Sequence, residues 1–419
     1  MNIEIPLYIC LPFIIILMMI AIMPLTFPHF WEKNRNKALV SFVVSLPVLF
    51  FLLNGLQHEL VKTIEDYFSF IILLASLFII SGGIFMTGDL RATPLNNSIF
   101  LFSGAVLANF VGTTGASMLM IRPFLRTNSH RKNTAHIPVF FIFLVSNIGG
   151  SLTPLGDPPL FLGYLHGVPF KWTLNLFPIW IITIFFVLLI FYIIDSISYK
   201  KESPEDIRID IISEEPIRIK GLINILFLLG VILSVALQIK APYREIIMII
   251  MAILSMIFTN KNIHKKNNFT FGPIIEVAVL FAGIFITMTP LIILLQEKGP
   301  SLGITKPFQY FWTTGILSSF LDNAPTYFTF FSLAQSVTSS LPSNSINIVA
   351  GVNEIFLKAI SCGAVFMGAN TYIGNGPNFM VKSIAESHGY KLPHFFGYML
   401  YSSLILIPVF IIISLIFFI

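Results

Sequence analysis

The sequence predicts an all-α polytopic membrane protein made of two inverted repeats, with about ten transmembrane helices, two of them interrupted, and two re-entrant hairpins. Of the 419 residues, 56% are hydrophobic and only 11% are charged, whereas about a quarter of a soluble protein is charged. Many apolar segments are long enough to cross a bilayer, and broken apolar segments recur at corresponding positions of the two halves. This composition excludes a soluble enzyme and a nucleic-acid-binding protein.

The predicted spans follow from segment length, because a helix needs about 20 mainly apolar residues to cross the hydrocarbon core. The uninterrupted segments that meet this requirement are 5–26, 37–55, 66–86, 173–194, 220–238, 243–260, 273–295 and 394–418. Two others, 136–166 and 353–385, are long enough but are interrupted by clusters of Gly, Pro and Asn. A helix satisfies its own backbone hydrogen bonds in lipid, so the uninterrupted segments are predicted to be helical.

Two more apolar segments, 97–126 and 307–338, are predicted to enter the membrane and return on the same side. The first is broken by Gly-Thr-Thr-Gly at 112–115 and the second by Asp-Asn-Ala-Pro at 322–325, so each half is too short to cross alone. With this threading, 17 of the 25 Lys and Arg residues fall in the loops of one side and six in those of the other. An excess of basic residues marks the cytoplasmic side. Both termini are therefore predicted to be extracytoplasmic, and the polar stretch 195–219 to be a cytoplasmic linker.

The two halves of the chain are predicted to be inverted repeats, residues 1–194 and residues 220–419. Each contains three spans, a hairpin, an interrupted span and a final span, and the two begin on opposite sides of the membrane. The interruptions are also similar in sequence, since five positions are identical when Gly150–Phe161 is aligned with Gly368–Phe379. Inverted repeats with broken helices at matching positions indicate a secondary transporter whose site lies near the bilayer midplane.

The interruptions carry a family resemblance. The stretch Ser146–Phe161 resembles the Gly-Gly…Gly-x-Pro-Pro signature of the ion transporter superfamily; it reads Ser-Asn-Ile-Gly-Gly-Ser-Leu-Thr-Pro-Leu-Gly-Asp-Pro-Pro-Leu-Phe. That superfamily includes sodium/proton antiporters, arsenite permeases, citrate transporters and sodium-coupled dicarboxylate transporters. Phe320–Thr326 resembles the Asp-Asn-x-Pro element of the arsenite-permease and antiporter branches. The Ser-Asn-Thr hairpin tips of the dicarboxylate branch are replaced here by Gly112-Thr-Thr and Asp322-Asn-Ala.

The resemblance implies how such a protein works. Each hairpin tip and the unwound loop facing it would clamp a cation, and the substrate would lie between the two clamps. One domain would move as an elevator against a scaffold, with a homodimer as the frequent assembly. The resemblance also implies a location in the bacterial plasma membrane.

The candidate site residues are the oxygen-bearing side chains and glycines at the breaks, because hard cations prefer carboxylate, amide, hydroxyl and carbonyl oxygens. Clamp one would contain Asn109, Thr113, Thr114, Thr153, Gly156 and Asp157. Clamp two would contain Asp322, Asn323, Thr326, Asn370, Thr371, Asn375 and Asn378. The candidate sodium ligands among them are Asp157, Asp322, Asn323 and Asn375.

Each of the two aspartates can be interpreted either as a functional residue or as a helix cap. An ionisable side chain at membrane depth is a functional hypothesis by default. However, Asp157 precedes Pro158, and Asp before a helix that starts with Pro is an ordinary N-cap. For Asp322 the functional reading is favoured, because Asn323 offers an alternative cap for the helix that follows.

The leading functional prediction is a secondary transporter driven by an ion gradient, with sodium/proton antiport as its chemistry. Two intramembrane aspartates favour a small cation and would repel a carboxylate unless sodium or protons neutralised them. The main alternative is a citrate-type organic-anion transporter, because half-helix N-termini bind anions; the third is an arsenite permease. An enzyme is not expected, because the sequence has neither a P-loop nor a His-Glu-x-x-His motif. The expected partners are a small inorganic ion or organic anion and the lipid, with sodium and protons as coupling ions, no resident cofactor and no nucleic acid.

Overall fold

The computed structural model describes residues 5–341 and 347–419, which are mainly helical. The first half contains α1 (Leu11–Thr26), α2 (Pro28–Trp31), α3 (Asn34–Leu53), α4 (Gln57–Gly82), β1 (Phe85–Asp89), α5 (Pro94–Thr127), α6 (His136–Leu144), α7 (Pro158–Leu165) and α8 (Phe177–Tyr199). A connecting segment holds α9 (Pro204–Ile212) and β2 (Glu215–Lys220). The second half contains α10 (Ile223–Ala236), α11 (Tyr243–Phe258), α12 (Lys261–Lys266), α13 (Gly272–Lys298), α14 (Pro307–Ser318), α15 (Asn323–Ser339), β3 (Ile348–Val349), β4 (Val352–Asn353), α16 (Glu354–Met367), α17 (Gly376–Ser387) and α18 (Phe395–Phe417).

Helix length and composition confirm an all-α polytopic membrane protein. Among the described residues, seven helical segments are long and apolar enough to span a membrane. They correspond to α1, α3, α4, α5, α8, α13 and α18. The predicted spans at 220–238 and 243–260 are shorter than expected, since α10 has 14 residues and α11 has 16.

Both interrupted segments lose their helical backbone at the glycine-rich motifs. After α6 the chain makes a 3-10 turn at Ile148–Leu152 and becomes extended at Thr153 before α7 begins. After α16 it makes a 3-10 turn at Gly368–Asn370 before α17. Gly156 is required because a Cβ there would overlap the carbonyl oxygen of Gly150.

Helix α5 changes direction at Gly112, whose φ of 77° and ψ of 156° are not helical. Asn97 and Asn128 lie 31 residues apart near its two ends, yet each donates its amide Nδ2 to the other's Oδ1, at 2.9 and 3.0 Å. A straight helix would separate them by roughly 46 Å. The two ends of α5 therefore lie side by side.

Gly112→Ala is expected to destabilise the protein. Its φ and ψ lie in a region that only glycine occupies readily, and a residue forced into it costs of order 1–3 kcal/mol. The added Cβ would also lie 3.3 Å from the carbonyl oxygen of Leu155. Thermal denaturation in detergent should give a lower Tm for Gly112→Ala than for the matched control Gly376→Ala, where a Cβ meets nothing within 4 Å. Equal Tm values for the two variants would contradict the requirement for glycine at 112.

Helices without a break and helices at the breaks form two groups, which pack directly on each other where α13 contacts α15 and α4 contacts α5. In the first group, α3 packs on α13 and α11 packs on α4, while α1 contacts α13 and α10 contacts α4. The second group contains the broken segments, with α5 packed on α17 and α15 packed on α7. We call the first group the scaffold group and the second the broken-helix group.

The polar stretch 195–219 is more ordered than its composition suggested. Helix α8 continues to Tyr199, beyond the predicted end of the span at 194. After α9, β2 pairs antiparallel with β1, which follows α4. Asp195 is fully buried; it forms an ion pair with Arg131 at 2.6 Å and a hydrogen bond with His136 at 2.8 Å.

Candidate functional site

A cavity of about 80 Å³ is lined by residues of both the scaffold group and the broken-helix group. Scaffold helices α4 and α13 contribute an apolar wall that includes Leu77 and Phe281. The opposite wall contains the starts of three helical segments, at Thr113 in α5, Pro158 in α7 and Gly376 in α17. About 10–15 Å³ is enough for one water, so the cavity has room for several waters or a hydrated ion.

Asp157 is the central polar residue of the broken-helix group, and 1% of its surface is exposed. Its Oδ1 accepts hydrogen bonds from the Thr113 hydroxyl at 2.7 Å and from the Asn375 amide at 3.3 Å. Its Oδ2 accepts a hydrogen bond from the Asn323 amide at 3.0 Å. Residues assigned to two different clamps thus contact one carboxylate.

The structure decides between the capping alternatives that the sequence left open for the two aspartates. Asp157 makes no side-chain capping bond at the start of α7. Asp322 is the N-cap of α15, since its Oδ1 accepts a hydrogen bond from the backbone N–H of Ala324 at 3.1 Å. The expectation that Asn323 caps α15 is wrong, because Asn323 lies one residue inside the helix and directs its amide to Asp157.

Several other candidate residues of the first half hold the broken backbone together. Asn109 Oδ1 accepts the backbone N–H of Leu152 at 2.7 Å, and the Thr153 hydroxyl donates to the carbonyl oxygen of Asn109. Gly156 and Thr114 line the cavity, and Thr114 is partly exposed there. In this conformation Asn109 and Thr153 connect α5 to the unwound loop by hydrogen bonds.

The second half uses its candidate residues in the same way. The Thr371 hydroxyl donates to the carbonyl oxygen of Ser319, and Asn370 Nδ2 donates to the hydroxyl of Ser319 at 2.9 Å. Asn378 Nδ2 donates to the carbonyl oxygens of Gly368 and Thr371 at 2.8 and 2.9 Å. Asn370 Oδ1 is buried and has no hydrogen-bond partner within the described residues.

Thr326 lies one turn into α15, where its hydroxyl donates to the carbonyl oxygen of Asp322 at 2.9 Å. This bond follows the helix axis and leaves the Asp322 carboxylate unaffected. Asp322 lines the cavity and is partly exposed, and its Oδ1 carries the cap. Its Oδ2 is left to contact whatever occupies the cavity.

Two serines that were not predicted complete the network. Ser318 donates to the Oδ1 of Asn323 at 2.7 Å and thereby orients the amide that reaches Asp157. Ser319 receives the bonds from Asn370 and Thr371 described above. The predicted repeat offered a signal for Ser319, since it lies three residues before Asp322 as Asn109 lies three residues before Gly112.

The electrostatics of this region are unusual because its carboxylates have no basic partners. Asp157 is bonded only to neutral hydroxyl and amide groups, and no Lys, Arg or His of the described chain forms an ion pair with it or with Asp322. The lining of the cavity likewise contains no basic side chain. A buried charge is stable only when it is paired, hydrogen-bonded or neutralised, and at Asp157 the described chain supplies only neutral hydrogen-bond donors. The helix starts add partial positive charge at the same place.

Comparison with known families agrees with the resemblance in the breaks. A family model described as "Putative citrate transport" matches residues 2–418. No protein with a curated description matches the chain significantly. Membership in the group of citrate-transporter-like proteins within the ion transporter superfamily is thereby confirmed. The chain belongs to this citrate-transport family of multi-pass membrane proteins.

Proposed function

We propose that the protein is a secondary transporter for citrate or a closely related organic anion, coupled to protons or sodium through Asp157. The observation that carries the proposal is the burial of Asp157 among neutral donors, beside a cavity that several helix starts reach. The family description favours this reading over sodium/proton antiport.

The coupling follows from charge balance. Helix N-termini attract an anion, whereas Asp157 and Asp322 repel one while they are ionised. An anion is therefore stable in the cavity only when protons or sodium ions neutralise the two carboxylates. Obligatory co-binding of this kind makes the anion and the cation move together.

The size of the cavity indicates that a movement must accompany transport. Its volume of about 80 Å³ is well below the roughly 300 Å³ at the lower end of ligand pockets. We infer that the scaffold group and the broken-helix group separate at α4 and α13 when an organic anion enters. Such a movement is the elevator step that the family resemblance implies.

The proposal includes the inverted repeats, residues 1–194 and 220–419, joined by the linker 195–219. It is supported by the contacts between helices at corresponding positions of the two halves, because α3 packs on α13 as α11 packs on α4. A Cβ at Gly374 would overlap the carbonyl oxygen of Gly368, as one at Gly156 would overlap that of Gly150. We propose that α5 and the α14–α15 pair are the re-entrant hairpins. Each hairpin packs on a broken-helix element of the other repeat, α5 on α17 and α15 on α7.

Sodium/proton antiport remains the second candidate. It is favoured by one observation, namely that the cavity lining contains Asp322 and no basic side chain. A small cation would fit the present cavity without any widening. The two candidates differ in whether an organic anion crosses the membrane at all.

Uptake by proteoliposomes tests the proposal. Purified protein would be given labelled citrate under an inward proton gradient, an inward sodium gradient, or neither. We expect accumulation only with a gradient, and inhibition by related tricarboxylates. If citrate never accumulates while external sodium releases internal protons, the citrate proposal is refuted and antiport is the function.

The threading can be tested by labelling single cysteines, because the native Cys10 and Cys362 are both buried. Ser129 is exposed beside the end of α5, and Ser301 is exposed after α13. If α5 is a re-entrant hairpin, an impermeant thiol reagent should label Ser301→Cys in intact cells and Ser129→Cys only after permeabilisation. Labelling of Ser129→Cys from outside would contradict the predicted threading, in which a hairpin at α5 is combined with extracytoplasmic termini.

A further inference from the structure

A second, larger cleft of about 570 Å³ lies where α6 begins, α8 ends and the chain passes from α17 to α18. It shares no lining residue with the cavity beside Asp157. Arg131, Lys132 and Lys391 line it together with His136 at the start of α6. The excess of basic residues assigns this end of the molecule to the cytoplasm.

The cleft lining is basic and contains no acidic side chain. The acids that balance part of this charge lie behind it, where Asp195 pairs with Arg131 at 2.6 Å and Asp206 with Lys132 at 2.8 Å. The hydrogen bond to Asp206 also raises the pKa of Lys132, so that amine stays charged. Lys391 is exposed and has no ion-pair partner within the described chain. Of the three Lys and Arg side chains that line the cleft, Lys391 is therefore the one whose charge no acid of the described chain balances.

One wall of the cleft is apolar and continues into the surface that faces lipid. Ile194 of α8 and Tyr401 of α18 line this wall. On the same two helices, Ile197 is 52% exposed and Leu400 is 64% exposed. Because both helices are long apolar spans, their exposed side chains face acyl chains. The cleft therefore opens at the boundary between headgroups and hydrocarbon.

We propose that this cleft binds the headgroup of an anionic phospholipid. Its phosphate would contact Lys391 and the positive end of α6, and its acyl chains would lie along α8 and α18. Basic pockets between spanning helices on the cytoplasmic side suit such headgroups, and phosphate oxygens form strong bonds with cationic side chains. A soluble phosphate would use the charges but would gain nothing from the apolar wall.

Native mass spectrometry of the detergent-purified protein tests the site. Phosphatidylglycerol, phosphatidylcholine and glycerol 3-phosphate would be titrated separately against wild type, Lys391→Gln and the control Lys261→Gln. Lys261 is exposed in another basic loop and does not line the cleft. We expect phosphatidylglycerol to bind preferentially, and Lys391→Gln alone to weaken it about fivefold, the usual effect of one lysine near anionic lipid.

Three results would overturn the proposal. The first is equal binding of phosphatidylcholine and phosphatidylglycerol, and the second is equal weakening by Lys391→Gln and Lys261→Gln. The third is binding of glycerol 3-phosphate as tightly as the lipid, which would assign the cleft to a soluble phosphate compound. The Tm of Lys391→Gln without lipid should equal that of wild type, which excludes misfolding as the cause of a loss.

Discussion

Asp157→Asn is expected to abolish gradient-driven citrate accumulation while the protein still folds and inserts. In the proposed mechanism a proton or sodium balances the charge of this buried carboxylate, whose neighbours Thr113, Asn323 and Asn375 supply only neutral donors. Losing the charge partner of a buried ion costs about 3–5 kcal/mol. That is a factor of at least about 100 in cation binding. The neutral amide has nearly the same shape and removes a buried charge, so folding should survive.

The measurement is the initial rate of citrate uptake at saturating gradient, with the expression level and Tm of each variant beside it. Asp66→Asn is the matched control, since Asp66 contacts His166 at 3.4 Å and does not line the cavity. We expect at least about hundredfold loss for Asp157→Asn by the charge argument, and a near-normal rate for Asp66→Asn. Normal, gradient-dependent uptake by Asp157→Asn would remove this carboxylate from the coupling mechanism.

The sequence predicted where the backbone breaks better than it predicted which side chains meet there. Hydropathy and the clusters of Gly, Pro and Asn indicated the breaks, because glycine alone tolerates the backbone of Gly112 and a packed Gly150–Gly156 contact. Asn323 and Asn375, however, lie 166 and 218 residues from the aspartate that they contact. Contacts over such separations depend on how the two halves of the chain pack, and local patterns contain no information about that.

The same limit explains the exchange of roles between neighbouring residues. Asp322 and Asn323 are both good N-cap residues, so the sequence leaves open which of them caps α15. Asn323 does not cap the helix because its side-chain amide forms hydrogen bonds with Asp157 and with Ser318. The β1–β2 pair was missed for a similar reason, since its strands are far apart in sequence and β2 is exposed along its whole length.

Asp322→Asn and Asp322→Ala together separate capping from transport. Asn caps a helix about as well as Asp, whereas Ala costs about 1 kcal/mol at this position. If the free Oδ2 of Asp322 takes part in cation binding, Asp322→Asn should keep the wild-type Tm and lose coupled uptake. Asp322→Ala should lose both, because the backbone N–H of Ala324 also loses its acceptor.

If Asp322 has only a structural role, the two variants should give a different pair of results. Comparing them therefore distinguishes a structural role from a role in cation binding. Asp322→Asn would then transport like wild type, and Asp322→Ala would lower the Tm with a loss of uptake that follows the amount of folded protein. Asp322→Asn would also retain the contact between Thr326 and the backbone carbonyl of residue 322, which does not depend on the side chain. A loss of uptake in that variant at unchanged Tm can therefore be assigned to the missing charge in the cavity.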